Sequence, residues 1–204
     1  MWRSIFLLLF PLTLSAQLKR FQFTENKMGS TFSLVFYCDD STKASALSKE
    51  CFALVDSMNN IFSDYNATSE VGKLASMPVV KDQKVSDELI EVIRLSKHAW
   101  QRSGKSFDVT IGSLTQLWRK AKKENRFPTE EEIKNAKRAA GFKNVTYDIF
   151  VKTISFNTPG LRLDFGGIVP GYVAQKVLDH LKTRNINIAL VDASGDIIMS
   201  DPPP

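Results

Sequence analysis

Apolar side chains recur along this chain in two rhythms, and the switches between them predict most of its elements. Over residues 31–37 apolar and polar positions alternate well enough for a half-buried strand. From Leu47 the spacing lengthens. Leu47, Cys51, Leu54, Val55, Met58, Ile61 and Phe62 then mark one face of a long amphipathic helix. Residues 63–76 are polar and read as a connection. Ser86 caps the next predicted helix, with Asp87 and Glu88 in the first turn, where the helix dipole favours acids. Leu89, Val92, Ile93, Ser96 and Trp100 lie along its inner side. Thr129 and Glu132 form a capping box for a third helix, which Gly141 closes. Residues 145–150 and 154–156 predict a hairpin around Lys152-Thr153.

A further strand over residues 161–164 feeds the segment Asp164-Phe165-Gly166-Gly167-Ile168-Val169-Pro170-Gly171-Tyr172. Glycines at such a point let a ligand touch bare backbone. A helix start offers unpaired N–H groups and a positive dipole end to an anion. Pro170 suits the first helical turn, and Ala174, Val177, Leu178 and Leu181 follow as a buried helical face. The chain returns as a strand over 188–191, ending in Asp192-Ala193-Ser194-Gly195-Asp196. Acids and glycines at both strand ends fit a phosphate or metal site, and equally a tight turn that needs only small residues. Helices and strands interleave without strict βαβ alternation, which predicts an α+β fold rather than a doubly wound sheet.

With 204 residues, 43% hydrophobic and 24% charged, the chain has the length and composition of a globular domain. Its net charge of +5 is mild, and the run Arg119-Lys120-Ala121-Lys122-Lys123 has no interleaved aromatic platform. It therefore reads as a solvated face, not a nucleic-acid stripe, and the charge supports at most attraction to anionic ligands or a membrane surface. Met1-Trp2-Arg3, an apolar stretch and Ser15-Ala16-Gln17 predict a signal peptide over residues 1–16, and hence export to the periplasm. No cysteine follows that stretch to carry a lipid anchor. Cys38 and Cys51 are expected to be buried apolar residues, and His98 and His180 sit alone on predicted helices, so no zinc motif is present. Gly104-Lys105-Ser106 fails as a phosphate loop because Ala99 stands where the leading glycine belongs.

Five further segments, in order, carry a resemblance. They are Met28-Gly29-Ser30, Phe62-Ser63-x-Tyr65 with Ser69-Glu70, Ser103-Gly104-x-x-Phe107-Asp108-Val109-Thr110-x-Gly112, Leu163-Asp164-x-Gly166-Gly167-Ile168-x-x-Gly171-Tyr172, and Val191-Asp192-Ala193-x-Gly195-Asp196. In register over residues 28–196, this set resembles the FAD:protein FMN transferases, the ApbE family. The resemblance implies a T-fold-related α+β domain with a mixed or antiparallel sheet and packed helices, occupying residues 17–204. It implies magnesium-dependent transfer of FMN from FAD onto a Thr or Ser hydroxyl of an acceptor protein, with release of AMP. FAD contacts carry over onto Met28, Tyr65, Ser106, Phe107, Asp108, Asp164 and Pro170, and a Mg2+ ligand onto the backbone carbonyl of Gly167. The resemblance names no catalytic side chain among these positions.

Two departures accompany it. Pro170 stands where the family commonly has lysine. The family also continues into a segment whose Asp and Thr complete the metal site, whereas here an apolar strand over 197–199 runs into Ser200-Asp201 and three prolines. The chain is thus expected to be the N-terminal portion of such a protein, without full activity by itself. The alternatives are a module that binds FAD or another nucleotide without transferring FMN, and an inactive fragment.

Overall fold

In a computed structural model that describes residues 17–203, the alternation after residue 30 becomes part of an antiparallel hairpin. Strands β1 (Lys19–Lys27) and β2 (Ser30–Cys38) are joined by Met28-Gly29. Both turn residues have positive φ, 52° and 83°, as a two-residue turn between right-twisted strands requires. β1 follows no strong pattern because both of its faces are largely exposed, whereas Phe32, Leu34, Phe36 and Cys38 of β2 are buried.

Helix α1 (Ser41–Phe62) begins before Leu47, because Asp40 caps it by accepting a 2.6 Å hydrogen bond from the Lys43 amide. Its Ala44, Leu47, Cys51, Val55, Met58 and Phe62 are buried. Residues 63–76 are not wholly a connection, since they contain α2 (Glu70–Ser76). Ser69 caps that helix, and at seven residues it is too short to leave a clear period. Next come β3 (Gln83–Lys84), then α3 (Asp87–Arg102) capped by Ser86, then α4 (Gly112–Lys123). α5 (Glu130–Ala139) has the expected capping box, and β4 (Val145–Asp148) and β5 (Thr153–Phe156) form the expected hairpin. β5 also pairs with β3, giving a small sheet of order β3-β5-β4.

The predicted strand over 161–164 is not one. Leu161 and Leu163 are buried and Arg162 is exposed, as in a pleat, but the partner is only the turn at 109–112. One bridge between Ile111 and Arg162, with backbone bonds from Gly112 to Arg162 and from Asp164 to Val109, is all that forms. The chain then enters α6 (Val169–Thr183) with Pro170 in its first turn. β6 (Ala189–Ala193) pairs with β2, and β7 (Asp196–Met199) pairs with β6, so the larger sheet has the order β1-β2-β6-β7, antiparallel throughout. Ser194-Gly195 joins its last two strands with φ of 63° and 95°, a second turn of the Met28-Gly29 kind. α1 and α6 pack beside this sheet, and α6 contributes Val173, Ala174, Val177, Leu178 and Leu181 to the core. The fold is α+β, as the interleaving predicts.

Cys38 and Cys51 are buried and unpaired by any disulfide. Gly104 and Lys105, with φ of 60° and 71°, close α3 rather than open a helix, so they have no phosphate-loop geometry. The predicted signal peptide lies outside the described residues. Among the described residues no helix is long and apolar enough to cross a membrane.

Candidate functional site

The two tight turns of the larger sheet lie side by side. The Ser194 amide donates to the Thr31 carbonyl at 3.2 Å, and the Ser30 and Ser194 hydroxyls are in hydrogen-bond contact. Opposite them, Phe62 ends α1 and Ser63-Asp64-Tyr65 leaves it, while the segment from Asp164 to Pro170 descends into α6. Between these pieces is a cleft of about 650 Å3, whose walls include Met28, Tyr65, Arg119, Asp164, Pro170 and Ser194. Phe165 floors it. This ring is 2% exposed and meets Phe62 edge-on, with centroids 5.7 Å apart.

Tyr65 is 78% exposed, an aromatic surface left in water rather than in the core. Such a ring is suited to stacking on a flat ligand. Asp164 is fixed at its backbone by Val109, and its Oδ1 accepts the Gly166 amide at 2.9 Å. Its Oδ2 faces the Arg119 guanidinium at 3.4 Å. Arg119 also pairs with Asp64 and lies over the Tyr65 ring, 4.0 Å from its centroid. Burial works against the Arg119 charge, but the Asp64 and Asp164 carboxylates outweigh it and leave the guanidinium more firmly protonated. Gln116 donates to both the carbonyl and the carboxylate of Asp64 at 3.2 Å, tying α4 to the end of α1.

The expected site residues are only partly brought together. Met28, Tyr65, Asp164 and Pro170 share the cleft. Phe107 and Gly167 line a separate, broader depression of about 1000 Å3 on the far side of the glycine turn, beside α3, α6 and β7. A methyl at Gly167 would meet the Phe107 ring at 3.2 Å, so glycine lets the ring lie against the turn. Ser106 is exposed and lines neither cavity. Asp108 is occupied locally. Its Oδ1 accepts the Thr110 amide and hydroxyl at 2.9 and 2.6 Å, and its Oδ2 accepts the Phe142 amide at 3.2 Å. That carboxylate builds the loop and has little capacity left for a ligand.

Gly167 can offer one carbonyl oxygen to a metal. Among the described residues no three His, Cys, Asp or Glu side chains lie close enough to hold an ion. Magnesium takes near-octahedral oxygen coordination, much of it from waters and substrate phosphates, and Gly167 is the one ligand the resemblance assigns on this chain. Arg119 is a cleft residue that sequence reasoning passes over, while Asp64 and Ser194 lie inside the singled-out segments at positions the resemblance leaves open. Arg119 is masked by the lysine run around it, and its acidic partners are 55 and 45 residues away in sequence.

Comparison with known proteins places this geometry in context. A Klebsiella pneumoniae (strain 342) FAD:protein FMN transferase is 26% identical over 170 residues, covering 83% of this chain and 52% of that protein. A Vibrio cholerae (strain O395) FAD:protein FMN transferase is 26% identical over 174 residues, covering 83% and 51%. The chain therefore spans about half the length of the curated relatives it matches. Among solved structures, apo flavinyl transferase ApbE from Pseudomonas stutzeri superposes with a TM-score of 0.83 at 25% identity, covering 92% of this chain and 60% of that one. Flavin transferase ApbE from Vibrio cholerae superposes with a TM-score of 0.80 at 22% identity, which speaks to the fold. The family model for ApbE matches residues 28–204, a span that includes every segment of the cleft, and the chain belongs to the ApbE family.

Proposed function

We propose that this chain forms the FAD-holding part of an FAD:protein FMN transferase. The carrying observation is the convergence of Met28, Tyr65 and Asp164 from three distant segments on one cleft. In the proposed reaction the hydroxyl oxygen of an acceptor Thr or Ser attacks the FMN-side phosphorus of FAD. A new P–O bond forms, the diphosphate P–O bond breaks, AMP leaves with the bonding pair, and the hydroxyl proton passes to solvent or a base. Tyr65 offers its open ring to the isoalloxazine, Met28 closes the apolar side, and Asp164 accepts from ligand N–H or O–H groups. Magnesium, when bound, would offset charge on the diphosphate. It enters through the family resemblance alone, with Gly167 as a single donor.

The test is to measure FAD binding by the chain and to incubate it with FAD, Mg2+ and an acceptor protein bearing an exposed Thr or Ser. Mass spectrometry then looks for an FMN-sized adduct. An adduct supports the reading, and failure of the chain to bind FAD sinks it. Pro170, uncharged at the cleft wall, favours a second reading, a module that retains FAD without transfer. Tight FAD binding with no adduct would establish that instead. The proposed setting is the periplasm after removal of residues 1–16, which N-terminal sequencing of the exported protein checks.

A further inference from the structure

Among the described residues Arg119 is the one lysine, arginine or histidine on the wall of the cleft, and its half-buried guanidinium is turned to partners within the fold. One guanidinium meets three partners from two other segments. It pairs with Asp64, faces Asp164 Oδ2 at 3.4 Å and covers the Tyr65 ring at 4.0 Å. Both carboxylates have side chains only 14% exposed, so these ion pairs are less screened than surface ones. Tyr65 by contrast has little else to hold its ring, being 78% exposed. A planar guanidinium can stack on an aromatic face while its edge donates to carboxylates, which a lysine ammonium cannot do.

We propose that Arg119 is a positioning residue, a clamp that backs one face of Tyr65 and fixes it relative to Asp164, so that the opposite face is presented to the flavin ring of FAD. The inference rests on the proposed function and adds a residue to it. The clamp accounts for an arginine within an otherwise solvated lysine run, and for the bonds from Gln116 that hold Asp64 in place. It also assigns α4 a role: the helix carries the clamp to the exit of α1.

FAD binding to the intact chain tests this, with equilibrium affinity and the fluorescence of bound flavin as readouts, since stacking on tyrosine quenches flavin emission. R119A should weaken FAD binding roughly tenfold and brighten the flavin that still binds, through loss of the stacked platform. R119K should recover only part of either change. Y65A introduced into R119A should add little beyond R119A alone, the mark of two residues acting as one unit. K122A removes a charge from the same helix at an exposed position and should bind like the parent chain. If R119A melts without a folded baseline, D64N takes its place, because it releases the guanidinium from its main anchor and should show the same brightening.

Unchanged affinity and fluorescence in R119A or D64N would overturn the clamp. Tighter binding in R119A would also overturn it, because the guanidinium would then be blocking the ring. An equal loss in K122A would reduce the effect to net charge and overturn it as well. Failure of the unmodified chain to bind FAD sinks the proposed function itself, an outcome distinct from all of these.

Discussion

Cys51 lies on α1 with no exposed surface, and burial pushes its thiol from the ordinary 9.0 up to about 12, with the Glu50 charge adding to the effect. The folded state thus keeps a proton that the unfolded chain loses above pH 9. The stability this confers is complete below pH 9 and drains away as pH rises from 9 to 12. Urea titrations at pH 8 and pH 10.5 should show a smaller alkaline loss in Cys51→Ala than in the parent chain. At pH 8 iodoacetamide should label neither Cys51 nor the buried Cys38 until denaturant is added. Phe165 is a residue of a different kind, since it serves the core and floors the cleft at once. Phe165→Ala should cost about 3–5 kcal/mol in a denaturant titration, because it removes a buried ring packed edge-on against Phe62.

At the scale of elements, α2 is short but tightly placed. A Cβ on Gly72 would stand 2.1 Å from the Asn66 carbonyl and 2.9 Å from the Ala67 Cα, both backbone atoms that cannot swing aside. Gly72→Ala should therefore destabilise by about 1–3 kcal/mol and displace the loop that carries Tyr65. Equilibrium denaturation and the exchange rates of the loop amides check both halves. α5 buries no residue fully and depends on its capping box. Arg126 first, and then the Thr129 backbone, hold the Glu132 carboxyl down at about 2 from its ordinary 4.5. This support is present above pH 4.5 and is lost as pH falls toward 2, so α5 should fray first in acid. Thr129→Ala should cost about 1 kcal/mol, read as faster amide exchange confined to α5.

The same contrasts explain what the sequence reveals. α1, α3 and α6 are legible because each has a continuous buried stripe, and α5 because its cap is written in two residues. α4 is not, because it buries only Gly112 and Ala121 and its N-cap, Ile111, has no side-chain group to cap it. Met28, Tyr65 and Asp164, which share the cleft, lie in segments that the sequence singles out, whereas Gly167 of the same segments faces the other depression. Arg119 does not, because its role depends on side chains that only the fold brings near. Asp108 carries a motif but spends its oxygens on Thr110 and Phe142, so a residue's presence in a segment does not fix what its side chain faces.

Seen as a whole molecule, the cleft exists only when the distant segments that wall it are folded together. Its walls run from Met28 to Ser194, joining the two turns of the larger sheet, the exit of α1, the middle of α4 and the start of α6. An unfolded chain presents none of this together, so FAD should bind the folded state alone and stabilise it. At about 100 times the dissociation constant that linkage is worth about 2.7 kcal/mol. For a chain of this size the melting temperature should rise by roughly 5–10 °C. Tyr65→Ala should remove about half of the rise, as a tenfold loss of affinity requires, while leaving the unliganded melt nearly unchanged, because its ring is mostly in water. Magnesium without FAD should shift the melt by less than about 1 °C, since Gly167 offers one oxygen and no acidic cluster joins it among the described residues. Calorimetric melts with FAD, with magnesium and with both decide the matter. No shift with saturating FAD would remove the cleft as a flavin site, and a large shift with magnesium alone would mean that oxygen ligands other than Gly167 assemble around it.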